Sequence, residues 1–143
     1  MNPESATTRP IATITLTGAQ KAIDAALREA EGLGVNVVIH VVDPGGHVVA
    51  TARMDDAPLL SVGVAGDKAW TVIAFGEATD WWASAFEEEP GLTALANGRP
   101  LMPVPGGVPL TLDRERVGAI GVSGASAAQD RQIAQAAARA VSS

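Results

Sequence analysis

The chain has no cysteine and no tyrosine, and its 143 residues include only two histidines, three tryptophans and two phenylalanines. Without cysteine there can be no disulfide, no thiolate metal site and no cysteine nucleophile. Basic residues are in deficit: 10 Lys and Arg stand against 16 Asp and Glu, for a formal net charge of −6. With no basic stripe to neutralise phosphates, neither nucleic acid nor an anionic membrane is an expected partner. Long apolar runs are missing as well; none approaches the roughly 20 residues of a membrane span. The opening MNPESATTRP lacks the apolar core of a signal peptide, so the expected location is the cytoplasm. Neither GxGxxG nor a Walker-type GxxxxGK motif occurs, which removes the usual phosphate loops.

What is present is organised around VNVVIHVVDPGGHVVATARM, residues 35–54. Two β-branched runs, 36–42 and 47–52, flank Asp43-Pro44-Gly45-Gly46, and this tetrad is turn chemistry, so the stretch predicts a hairpin. Residues 1–10 read as a loose arm and 11–143 as one domain, the size a single core supports. The Ile/Thr alternation over 11–16 predicts an edge strand. Thr17 with Gln20 reads as a capping box for a first helix. Its stripe is Ile23, Ala26, Leu27, Ala30 and Leu33, and Gly32 or Gly34 ends it.

A second helix is predicted over 58–75, interrupted by Gly63 and Gly66, glycines that imply close packing, such as against another subunit. A short helix follows, carrying Trp81, Trp82 and Phe86, capped by Thr79 and stopped by Pro90. Five of the nine prolines fall in residues 90–109, so that stretch is not regular throughout. Strands are predicted over 107–112 and 116–122 about a tight turn at Asp113-Arg114-Glu115. Ser126 with Gln129 is a second capping box, opening a helix that buries Ile133, Ala137 and Val141. Hairpins covered by helices give an α+β architecture with an antiparallel sheet.

With these elements placed, VVDPGGHVVATARMDDAP, AGDKAWTVIAFG, PVPGGVPL and VGAIGVSGASAAQD resemble, in order, the GlcG/HbpS family of small haem-binding or haem-degrading-type domains. They also resemble the C-terminal part of PduO-type proteins. The likeness runs from about Leu16 to Val141. It implies a five-stranded antiparallel sheet flanked by helices, of profilin-like or PAS-like type, assembly into homo-oligomers, and haem as a cofactor.

The residues that carry candidate chemistry are few. His47 follows the Gly-Gly turn, at a position often His in the family motif; it is either a turn-flanking residue or an acid/base or metal ligand. His40 lies mid-strand on the face of Val38 and Val42, either a satisfied core histidine or a specialised group. Two histidines without HxH or HxxxH spacing predict no metal site of their own. For haem, the ordinary axial candidates are His40, His47 and Met102, while Trp70, Trp81 and Trp82 can line a slot or serve as core anchors. Asp67-Lys68 is the charged pair of the second helix. Lys68 matches a recurring family lysine and either holds an anion or forms a structural ion pair, and Arg53 offers the same two roles. Pro103-Val104-Pro105-Gly106-Gly107-Val108-Pro109 is either a rigid connector or, through the Gly106 and Gly107 amides, an oxyanion wall. Ser123 lacks the nucleophile elbow.

Two functions follow as expectations, beside a purely structural assembly module that the Gly63/Gly66 helix and the apolar composition favour. The first is a cytoplasmic, homo-oligomeric protein binding haem or a small molecule between the helix at Asp67 to Trp70, the loop from Pro103 to Pro109, and the hairpin. The alternative is a cofactor-free isomerase, hydratase or lyase acting on a small carbonyl or carboxylate compound. There His47 or His40 moves the proton, Lys68 or Arg53 holds the anion, and Gly106 and Gly107 stabilise the oxyanion.

Overall fold

The computed structural model describes residues 6–143; the first half of the expected arm, residues 1–5, lies outside the described residues. The first helix, α1, spans Leu16–Leu33. Thr15 caps it, its hydroxyl accepting the Gly18 N–H at 3.0 Å, so the helix starts ahead of the expected Thr17 cap. Gly34, at φ 71°, closes it in the left-handed conformation that a side chain would disfavour. Ala19, Ala22, Ile23, Ala26 and Ala30 form its buried stripe.

The hairpin forms as β1, Val38–Val42, and β2, Val48–Arg53, paired antiparallel with a bulge near Val42. Its turn is fixed by Asp43, whose carboxylate accepts the Gly45 and His47 amides at 2.9 and 3.0 Å. The second hairpin joins β3, Gly107–Leu112, to β4, Glu115–Ser123. Its turn residues Asp113 and Arg114 both take positive φ, 51° and 67°, the geometry of a tight two-residue connection. Between the hairpins come α2, Leu59–Phe75, α3, Trp81–Glu88, and a 3₁₀ turn at Pro90–Ala96. Thr79 does not cap α3 with its side chain; its hydroxyl instead meets the Gly107 amide at 2.9 Å. The last helix, α4, Ala127–Ser142, opens on the Ser126/Gln129 capping box that the sequence predicts.

Strand order is β2-β1-β4-β3, every pair antiparallel. The described residues hold four strands, not the five that the resemblance implies. Residues 11–16 are not the expected edge strand: they give one sheet-like bond, Ile14 N–H to the Val117 carbonyl at 2.8 Å, before Thr15 turns the chain into α1.

The sheet separates two apolar layers. Alternation sends Val37, Ile39 and Val41 toward α1 and α4, where they meet Leu110, Ile120, Val122, Ile133 and Ala137. Val38, His40 and Val42 face α2, whose Ala65, Ala69 and Val72 are fully buried. Helix and sheet approach so closely there that a Cβ on Gly121 would run into the Ala65 carbonyl. A Cβ on Gly66 would make an ordinary contact with the His40 ring at 3.5 Å, whereas Gly63 faces open space.

These two glycine environments predict opposite mutational signs. Gly121→Ala is expected to cost about 3 kcal/mol of unfolding free energy by overpacking, and Gly63→Ala to gain about 1 kcal/mol by helix propensity. Urea denaturation of both variants checks this, and equal effects would contradict the packing described.

Candidate functional site

The expected site residues do not converge on one place. At the end where β1 and β2 meet, the turn folds over α2 so that Gly46 rests near Ile73 and the half-buried Trp70. His47 stands out from this turn, its side chain 81% exposed, with Nδ1 3.3 Å from the Asp43 carboxylate. Burial pushes the Asp43 carboxyl up, but bonds from the His47 and Gly45 amides and the His47 ring outweigh it and hold it below its ordinary value. A proton on Nδ1 satisfies Asp43, which leaves Nε2 as an outward lone pair.

His40 is built differently. Its Nε2 lies 2.9 Å from the Val62 carbonyl, which can only accept, so Nε2 carries the proton. Nδ1 then accepts the Thr51 hydroxyl at 3.2 Å. Both ring nitrogens are engaged. Burial pulls the His40 pKa below its ordinary value, while the Val62 bond and the nearby Asp67 charge oppose the shift. Burial pushes Asp67 the other way, upward, with His40 opposing. Arg53 ends β2 on the same sheet face, opposite Val38, exposed and without an ion-pair partner among the described residues.

Lys68 points away from this group. It is 1% exposed, and its Nζ donates to the Val122 carbonyl at 2.8 Å and to Asp130 Oδ2 at 3.0 Å. The other oxygen of Asp130 accepts the Ala125 amide at 3.0 Å. Gly106, at φ 129°, makes this arrangement fit: a Cβ there would stand 2.8 Å from Nζ. The Gly107 amide is taken by Thr79, and the Gly106 carbonyl accepts the Val122 amide at 2.9 Å. Pro109 sits in β3, an edge strand where a missing N–H is tolerated, and Pro103 is half-buried in the segment leading to it. Thr71 ties that segment to α2, its hydroxyl accepting the Met102 amide at 2.8 Å.

The structure therefore brings together His40, Asp67 and Thr51, and separately Trp70 with the His47 turn. It does not gather a histidine, the Lys68 ammonium and the Gly106-Gly107 amides around one volume. Sequence reasoning missed Thr51 and Asp130. Thr51 was legible as the residue a hairpin register sets beside His40. Asp130 carried no signal beyond its place in the first turn of α4, since 62 residues separate it from Lys68. Among the described residues no three His, Asp or Glu side chains assemble as a metal site, and no helix is long and apolar enough to cross a membrane.

A four-stranded antiparallel sheet with helices on both faces defines a small α+β domain class. Within it, the chain belongs to the HbpS-like family: the family model described as haem degrading protein HbpS-like matches residues 14–139. A 15.0 kDa protein of the dhaT-dhaS intergenic region of Citrobacter freundii is 36% identical over 129 residues, covering 89% of this chain and 91% of that protein. The corrinoid adenosyltransferase PduO of the same organism is 36% identical over 140 residues, but the chain spans only 42% of its length. Among solved structures, HbpS aligns with a TM-score of 0.85 at 31% identity, over 97% of both chains. A complex of the PduO C-terminal domain with haem aligns with a TM-score of 0.81 at 32% identity, over 90% of this chain and 95% of that one.

The geometry of His40 sets a pH dependence. Its depressed folded pKa means that the folded chain binds fewer protons than the unfolded one between that value and the ordinary value near 6.5. Stability accordingly rises with pH through this window and is lost as pH falls through it. His40→Gln keeps a donor for Val62 and is expected to flatten the dependence. Urea midpoints measured from neutral down to mildly acid pH check this, and an unchanged slope would contradict it.

Proposed function

We propose that this chain is a cytoplasmic, homo-oligomeric ligand-binding protein that takes haem, or a similarly flat anionic small molecule, beside His47. The observation that carries the reading is the posture of His47: Nδ1 lies 3.3 Å from the Asp43 carboxylate on a ring that is 81% exposed, and Nε2 has no partner among the described residues. Metal-bound histidines are oriented by this kind of carboxylate contact. Haem, if bound, would supply an iron that takes an imidazole nitrogen, and His47 would be the residue that holds it. His47 fits that donor role. His40 does not, because Val62 and Thr51 occupy both nitrogens. Exposed Val48 and the Trp70 that underlies the turn offer an apolar bed for a macrocycle. Support from kinship is the haem complex solved for the PduO C-terminal domain.

The oligomer is argued from α2. Its two charged residues, Asp67 and Lys68, are half-buried and buried, while Leu59 and Leu60 at its start are 87% and 78% exposed and Val62 is exposed beside them. An apolar helix open to water implies a cover. A second copy of this chain is the proposed cover, since a two-fold axis brings the same apolar patch of each copy together.

Titration with haemin is expected to give a saturable Soret shift near one haem per subunit that His47→Ala abolishes and His40→Gln retains. A shift indifferent to His47 would refute the assigned ligand. In sedimentation velocity, Leu59→Glu with Leu60→Glu is expected to leave monomers; unchanged sedimentation would exclude this face as the contact.

A further inference from the structure

A cleft of about 480 Å³ lies beside the His47 turn but is not lined by His47. Its walls are Arg9, Pro10, Ile11 and Ala12 of the segment before α1, Pro44 of the hairpin turn, and Glu115 and Arg116 at the start of β4. The volume is in the range that small-molecule sites occupy. Two arginines, Arg9 and Arg116, line it, in a chain with six more acidic than basic residues. Neither Arg9 nor Arg116 has an ion pair or a hydrogen-bond acceptor among the described residues, and Glu115 reaches neither within 4.0 Å.

Arg116 is also placed. A Cβ on Gly76 would lie 2.8 Å from its Nη1, so the guanidinium rests against the C-terminal end of α2, where the helix dipole favours a cation. The site thus combines a positioned arginine, a second arginine lining the same cleft and a short apolar wall of Pro10, Ile11, Ala12 and Pro44. An arginine fork matches a carboxylate or phosphate by paired N–H···O bonds, which a hydrated lysine does not.

We propose that this cleft binds a small organic oxyanion. The anionic head, a carboxylate, lies between Arg9 and Arg116, and a short apolar body lies along Pro10, Ile11, Ala12 and Pro44. Glu115, facing the same space, limits the net positive charge and selects against multiply charged ligands. This site is independent of the haem reading.

The test is calorimetric titration of the full chain at low salt with butyrate, acetate and inorganic phosphate. Butyrate is expected to saturate and to bind several-fold more tightly than acetate, through the apolar wall. Arg116→Ala and Arg9→Ala are each expected to weaken it about tenfold, the loss of a charged hydrogen-bond pair. Arg116→Lys is expected to restore part of the affinity, and Glu115→Gln to tighten the binding of phosphate more than that of butyrate. Unchanged thermal unfolding of the arginine variants without ligand separates lost binding from lost fold. Absence of saturable butyrate binding, or binding indifferent to both arginines, would overturn the proposal. Phosphate bound in preference to butyrate would overturn the assignment of a carboxylate with an apolar body.

Discussion

A single buried ion pair holds the layers of this domain in register. Lys68 comes from α2 on one face of the sheet, Asp130 from the first turn of α4 on the other, and the Val122 carbonyl from β4 between them. An ammonium with 1% exposure is tolerable only because the carboxylate and the carbonyl replace the water it has lost. Such a pair adds little net stability relative to an apolar substitute. Losing either partner is costly, however, because the other charge is then stranded. The surrounding backbone is shaped to it: Gly106 and Gly107 carry no Cβ where Lys68, Thr79 and the Val122 carbonyl approach.

That arrangement divides the molecule functionally. Around Lys68 the structure is closed, the ammonium, the Asp130 carboxylate and the Val122 carbonyl being paired within the protein. The end bearing the hairpin turn carries the groups left facing outward: the His47 ring with its free Nε2, and Arg9 and Arg116 around their cleft. Chemistry with an external ligand belongs where polar groups still lack internal partners, and the turn end carries such groups. His40 is intermediate, a half-buried histidine whose two bonds fix α2 to β2 and whose protonation state is tied to folding.

Local signals account for what was legible in the sequence. The hairpin could be read from β-branched runs around Asp-Pro-Gly-Gly, and α4 from its capping box, because each is decided by neighbours within a few residues. The family resemblance located the frame but overstated the sheet. A fifth strand at residues 11–16 fails because Thr15 serves as a helix cap, and cap chemistry defeats an alternating pattern that short. Lys68 illustrates the limit on the site side. Its motif flagged the residue, and both an anion-holding and a structural role were open, since only tertiary contact with a residue 62 positions away distinguishes them. Arg9 and Arg116 gave no sequence signal at all, as their convergence depends on the segment before α1 passing the start of β4.

The most direct measurement of the central claim is a double-mutant cycle on this pair, using Lys68→Met, Asp130→Asn and the double variant in urea unfolding. Lys68→Met alone is expected to cost about 3–5 kcal/mol. The double variant is expected to cost less than the two single losses combined, with a coupling of about 1 kcal/mol or more. Single losses that add to within about 0.5 kcal/mol would show the two charges to be energetically independent, and would contradict the role given to the pair.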